Sequence, residues 1–252
     1  LWNQWEVVLK NRGKLQEEYE IRTAQGQIKW VFEQGQGVFD EDGKVVALEG
    51  LIIDISEQKQ NEMKIRHLYN HNDLTNIPNL RSFNALFPEI LSQSPGGNPG
   101  VLTVNLRRFS VYNRIFGYRE GNQLIRKVGS CLEQYASPQC LLFHISIDRF
   151  VYFFPTKGSR VEMEAFGKGL MEHLIECIDQ QAVCFNLGLL ELETLWESTT
   201  ETILRRAAVA GDQVSNHQRI GMEIFSPDME KKEEREKFIR QGLSLAVVDE
   251  QD

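Results

Sequence analysis

The stretch Leu141-Leu-Phe-His-Ile-Ser-Ile-Asp-Arg-Phe-Val-Tyr-Phe-Phe154 constrains this chain most. Two apolar runs, Leu141–Phe143 and Phe150–Phe154, flank the polar residues Ser146, Asp148 and Arg149. Aromatic and β-branched residues on both sides of a short polar group predict a buried β-hairpin with an exposed tip. A hairpin this apolar needs a core around it, and 252 residues suffice for one large or two modest domains. With 41% hydrophobic and 25% charged residues the composition is that of soluble globular protein. No apolar run approaches the roughly 18 residues that span a bilayer, and no signal peptide precedes Trp2, so a cytoplasmic chain is expected. A net charge of −8 argues against a nucleic-acid partner, which requires a basic face. Cys131, Cys140, Cys177 and Cys184 lie in apolar surroundings without a CxxC pair and read as reduced core residues. The five histidines show no ligand-like spacing, so no metal site is expected.

Ahead of the hairpin the chain changes character twice. A short helix, Trp2–Lys10, precedes three β-rich runs, Glu17–Arg22, Ile28–Phe39 and Lys44–Asp54. They are joined through Ala24-Gln-Gly26 and Asp40-Glu-Asp-Gly43, where glycine supplies the positive φ of a tight turn. Ser56–Asn70 lacks proline and glycine and reads as a helix with Ser56 as N-cap. Its apolar stripe, Ile65 and Leu68, is preceded at heptad positions by Gln58 and Asn61. That pattern is shared by a short coiled coil and a solvated linker.

From Asp73 the pattern becomes α/β. Asp73-Leu-Thr-Asn-Ile-Pro-Asn79 is a turn, and Leu80–Leu91 a helix. Ser94-Pro-Gly-Gly-Asn-Pro-Gly100 is a loop without the Lys-Ser/Thr of a phosphate-binding P-loop. A buried strand (Val101–Leu106), two helices (Phe109–Phe116, Asn122–Tyr135) and the hairpin follow. Then come a helix (Val161–Gln180), a strand (Val183–Leu190), a helix (Thr199–Ser215) and a last strand (Gly221–Phe225). Strands alternating with helices around one core imply an α/β sandwich. A charged helix, Glu230–Val248, carries Phe238, Leu245 and Val248.

Two resemblances organise these segments. Glu18-Tyr-Glu-Ile-Arg22, Gly26, Ile28-Lys-Trp-Val31, Asp42-Gly43, Gly50 and Asp54-Ile-Ser-Glu57 together resemble the C-terminal half of a PAS sensor domain. Val101-Leu-Thr-Val-Asn-Leu-Arg-Arg-Phe109, Asn113, Gly117-Tyr118, Gly121-Asn122 and the hairpin resemble the GGDEF (diguanylate cyclase) family. Ser146-Ile-Asp-Arg-Phe150 sits where that family has Gly-Gly-Asp-Glu-Phe. The resemblance implies an α/β (α+β sandwich) fold, with a mostly antiparallel central sheet flanked by helices and a partial antiparallel PAS sheet before it. It divides the chain into a partial PAS domain (1–55), a signalling helix (56–72), a degenerate GGDEF domain (73–227) and a helix (228–252). That last helix is similar to the lead-in of an EAL phosphodiesterase domain, so a piece of a longer bacterial PAS–GGDEF–EAL protein is expected. The implied partners are a downstream EAL domain and a second copy of the chain, paired through the linker helix.

Joining two GTP molecules into cyclic di-GMP needs divalent metal held by carboxylates. The resemblance places the metal positions at Asn105, at the Leu106 carbonyl and at Arg149, and a further acidic position at Arg107. A fixed cation repels a metal, and arginine has no lone pair to offer it. Asp148 alone keeps its acidity. Ser146 and Ile147 replace the glycines that let the hairpin backbone approach a nucleotide, and isoleucine obstructs that approach. The guanine-reading pair corresponds to Asn113 and Asn122, a phosphate-contacting lysine to Ser215, and the Arg-x-x-Asp of the product-inhibition site to Ser137 and Cys140. Should Arg107, Arg108, Arg114, Arg119 and Arg149 converge, they would hold an anion without metal; local pairing with surface carboxylates is the ordinary alternative.

The expectation is a catalytically inactive domain, with no required cofactor, relaying PAS and helix state to a phosphodiesterase. Its rivals are a GTP-binding sensor that activates that enzyme allosterically, with GTP as a weak ligand, and an active cyclase with unusual ligands. The ligand of the PAS part is not legible.

Overall fold

The computed structural model describes residues 1–93, 99–155, 160–178, 183–192, 199–235 and 239. Two compact units divide at Tyr69/Asn70. In the first, α1 (Trp2–Lys10) precedes a three-stranded antiparallel sheet in the order β1 (Lys14–Arg22), β2 (Ile28–Phe39), β3 (Val45–Asp54). Gly26 and Gly43 take positive φ at the two turns, as the Gln-Gly and Asp-Gly pairs predict. Trp5 is the buried residue of α1, and its indole N–H donates to Glu33 on β2. Glu33 also accepts from Tyr19 at 2.7 Å, and this bond above all pushes the Tyr19 hydroxyl up to about 12.

The helix α2 (Ser56–Asn70) begins differently from its expected cap. The first intrahelical acceptor is the Ile55 carbonyl, bonded to the Lys59 N–H, so Ser56 already lies inside the helix. Its hydroxyl accepts from the Trp30 N–H at 3.0 Å, while the Asp54 carboxylate accepts the Ser56 N–H at 3.0 Å. The acidic side chain two residues earlier thus takes the donor-satisfying role, a choice the Asp-Ile-Ser spacing leaves open. No α2 residue is buried, and Ile65 and Leu68 are 65% and 62% exposed.

The second unit is built on a five-stranded sheet of order β5-β6-β4-β7-β8. Its strands are β4 (Gly100–Arg107), β5 (Leu141–Ser146), β6 (Arg149–Phe154), β7 (Cys184–Glu191) and β8 (Ile220–Ile224). All neighbours are antiparallel except β7 and β8, so the sheet is mixed but mostly antiparallel. The helices are α3 (Leu80–Gln93), α4 (Phe109–Phe116), α5 (Tyr118–Tyr135), α6 (Arg160–Cys177) and α7 (Thr200–Asp212). Residues 227–235 are also helical. The remainder of the predicted Glu230–Val248 helix lies outside the described residues, apart from 239, as does most of the predicted 94–100 loop.

Strand alternation sorts the core into two layers. Leu102, Val104 and Leu106 of β4 join Phe150, Tyr152, Phe185 and Leu187 under α4, α5 and α6. Val101 faces the other way, with Val151, Phe153, Phe83 and Phe87 of α3, and Ile203 and Ala207 of α7. There Phe83 meets Phe143 edge-on at 5.2 Å. The helix α7 lies close against β7: a Cβ added at Gly188 would stand 1.8 Å from the Ala207 carbonyl oxygen. Thr103 fills the same seam, donating within reach of the Gly188 and Ala207 carbonyls at 3.2 and 3.3 Å.

Candidate functional site

On the α3/α7 face the alternation of β4 runs Val101, Thr103, Asn105, Arg107, passing from apolar to polar towards the strand end. Register carries this polarity across the sheet. Asn105 pairs with Arg149 on β6 and with Asn186 on β7, giving a row Arg149–Asn105–Asn186 on three adjacent strands. Arg149 Nε and Asn186 Oδ1 are buried there without hydrogen-bond partners. Asn186 belongs to no motif used above; a single amide in the apolar run Val183–Leu190 was the signal for it.

Beside the row lies a cleft of about 620 Å³ between the end of the hairpin, α3 and α7, with Ser146, Arg149, Asn84, Arg205 and Asp212 among its lining. Glu201 and Glu233 also contribute, so both signs of charge are present. Arg205 bonds Glu230, which Arg206 approaches at 3.3 Å. Burial works to raise the Glu230 carboxyl, but these two guanidinium groups outweigh it and hold the group below its ordinary range.

The hairpin follows the expected boundaries. Ile147 stands at its tip, 74% exposed, and the Asp148 carbonyl accepts the Leu106 N–H at 2.9 Å. The Leu106 side chain is core, and so is Phe150, whose ring stacks on His144 at 4.1 Å. His144 is 2% exposed; one ring nitrogen lies 2.9 Å from the Thr75 hydroxyl, and the ring is within reach of the backbone of Ser146 and Ile147. Burial is the main cause of its lowered pKa, opposed by the backbone of Ile147 and Ser146 and by the charge of Asp148.

The remaining predicted positions are scattered. Arg107 donates to the Ser215 carbonyl at 3.0 Å and to the Gln218 carbonyl, which makes it the anchor of the loop after α7. Arg108, Arg114 and Arg119 are exposed on the α4–α5 segment, whose apolar side packs on the opposite face of the sheet. The five arginines therefore do not converge. Asn113 is half-buried, and a Cβ on Gly121 would stand 1.8 Å from its Oδ1, so this amide lies directly on α5. That oxygen is buried and unpartnered, while Asn122 is exposed. Ser137 and Cys140 close the turn before β5, with the Cys140 N–H donating to the Ser137 carbonyl at 3.1 Å.

One grouping of donor atoms lies outside the motifs read from the sequence. Cys131 on α5 and His173 and Cys177 on α6 bring three donor atoms within 4.8 Å of one another. Linear spacing holds only the His173/Cys177 pair, one turn apart on α6; the third donor comes from α5. All four cysteines are free; burial first, then contact with Cys177, pushes the Cys131 thiol up to about 12. Among the described residues this is the one cluster of three or more such donors, and it lies away from the Asn105–Arg149 row. Among the described residues, too, no helix is long and apolar enough to cross a membrane.

The model of the diguanylate cyclase GGDEF domain matches residues 69–219, and that of the PAS fold matches residues 1–52. Over 163 residues the chain is 26% identical to the uncharacterized protein y4lL of Sinorhizobium fredii, covering 62% of this chain and 20% of that protein. Over 212 residues it is 23% identical to the cyclic di-GMP phosphodiesterase PdeR of Escherichia coli, covering 79% of this chain and 30% of that protein. The chain thus spans less than a third of either relative. In fold it is similar to the coiled coil and GGDEF domain of DgcB from Caulobacter crescentus, solved with c-di-GMP. That likeness has a TM-score of 0.58 at 16% identity and covers 68% of this chain and 93% of that one. The S helix–GGDEF–EAL portion of LapD from Vibrio cholerae, bound to c-di-GMP, gives 0.58 at 14% identity, covering 73% and 46%. A PAS-fold segment followed by a GGDEF domain accounts for both compact units, and the chain belongs to the GGDEF family.

Proposed function

We propose that this GGDEF domain is non-catalytic and relays the state of the PAS-fold segment and α2 to a cyclic di-GMP phosphodiesterase domain. The observation that carries this reading is the register pair Asn105–Arg149. On the reading that these are the old metal positions, β4 and β6 bring together an amide and a guanidinium. Mg²⁺ demands oxygen ligands in near-octahedral array. Arg149 offers none, and its charge opposes a cation beside it. Of the signature positions Asp148 alone keeps a carboxylate, at the hairpin tip. The downstream partner is proposed from the relatives, since PdeR is named a phosphodiesterase and LapD carries an EAL domain.

A second reading, a GTP sensor without catalysis, is favoured by the ligand-sized cleft beside Arg149. Thermal unfolding with millimolar GTP, with and without Mg²⁺, separates the two. A ligand at about a hundred times its dissociation constant stabilises by about 2.7 kcal/mol, which is readily seen as a shift in Tm. The relay predicts no shift under either condition. A GTP-dependent rise that ignores Mg²⁺ supports the sensor, and a rise that requires Mg²⁺ overturns the lost metal site.

A further inference from the structure

We propose that Cys131, His173 and Cys177 form a binding site for one zinc-class cation that clamps α5 to the C-terminal end of α6. His173 and Cys177 stand one turn apart on the same face of α6, and Cys131 meets them from α5. Cys177 Sγ lies 3.4 Å from His173 Nε2, and all three donor atoms fall within 4.8 Å of one another. A tetrahedral ion with bonds of about 2.3 Å to sulfur and about 2.1 Å to nitrogen sets its ligand atoms roughly 3.5–3.8 Å apart. Small side-chain rotations therefore suffice. The imidazole is already oriented: its ring stands 5.2 Å from that of Tyr135, and Nε2–H donates to the Cys131 carbonyl at 3.1 Å, which leaves the lone pair on Nδ1, 3.9 Å from Cys177 Sγ, for the ion.

Ligand chemistry selects the ion. Two sulfurs and an imidazole, with no carboxylate in the cluster, suit a soft or borderline cation and not Mg²⁺ or Ca²⁺. On binding, each thiol releases its proton to solvent and the imidazole stays neutral. Two thiolates with a divalent ion then form a neutral unit, appropriate to a place where Cys131 is 3% exposed and its partners half-buried. The surrounding field agrees in sign. Cys177 is the last residue of an 18-residue helix with no basic side chain in its final turn, so the unpaired carbonyls at that end favour a cation. With three protein ligands, the fourth position is left to water or to a donor from outside the cluster.

The test uses the whole chain, reduced and stripped of metal, titrated with Zn²⁺ against a chromophoric chelator and separately with Co²⁺. One equivalent of Zn²⁺ should be taken from the chelator, and Co²⁺ should produce thiolate-to-metal charge-transfer absorption. Cys177→Ser and His173→Gln, both at half-buried positions, should lose the competing equivalent, whereas Cys184→Ser, outside the cluster, should keep it. Zn²⁺ should raise the Tm of the parent chain and not that of the first two variants. Thermal unfolding without metal verifies that each variant is folded, so Cys131→Ser, at the buried position, need not carry the test. Failure of the parent chain to compete, absence of the charge-transfer band, or undiminished binding in both variants overturns the proposal.

Discussion

His144 is the residue whose environment has the clearest consequence in solution. It is buried as a neutral ring, wedged between Phe150 and Thr75, and burial lowers its pKa from the ordinary 6.5. Below pH 6.5 the unfolded chain takes up a proton that the folded chain refuses, so stability falls with pH from there down to the folded pKa. His144→Phe keeps the stacking but cannot titrate, and it should flatten that part of the stability curve. Urea unfolding of both proteins across this range checks it; equal slopes would mean that His144 is not held neutral. Gly188 makes a second residue-scale prediction. Its missing Cβ lets the α7 backbone approach β7, and Gly188→Ala must displace that helix because the obstructing atom is a carbonyl, not a side-chain tip. A loss of about 1–3 kcal/mol in urea unfolding is expected, as for other overpacked cores. A neutral substitution would show that α7 is loosely held.

Of the helices α1–α7, α2 is the one without a buried residue. Every residue of it is at least partly exposed, and Ile65 and Leu68 are more than half so. An apolar pair three residues apart on a mostly polar helix is the minimum seam of a two-helix contact. If α2 joins two copies of the chain, Ile65→Glu with Leu68→Glu should shift the molecular mass measured by light scattering from dimer to monomer at micromolar concentration. An unchanged mass would place any dimer contact elsewhere. Elements of this chain were legible because apolar periodicity is a local property: the hairpin, α1 and α4 follow from their own residues. The start of α2 was not, because Ser56 and Asp54 compete for one role and the contact with Trp30 decides between them. Likewise the Cys131–His173 meeting spans 42 residues and depends on how two helices pack. Asn105 and Arg149 could be singled out by resemblance, but their being side by side, with Asn186 as third member, is a matter of strand register.

For the whole molecule, the fold of a GGDEF domain persists while the polar end of its central strands carries amides and guanidinium groups. Nothing in the core requires a carboxylate at Asn105 or Arg149: both stand at the end of the β4–β6 ladder, beyond the packed layers under α3 and α7. Such a strand end can change its chemistry without costing the fold its core, so a fold of this kind allows architecture and activity to separate. The direct measurement is turnover. The purified chain, at high concentration with millimolar GTP and either Mg²⁺ or Mn²⁺, is followed by chromatography for cyclic di-GMP. A non-catalytic domain yields no product above a protein-free blank with either metal. Product that accumulates in proportion to protein, and disappears when the metal is chelated, would contradict it.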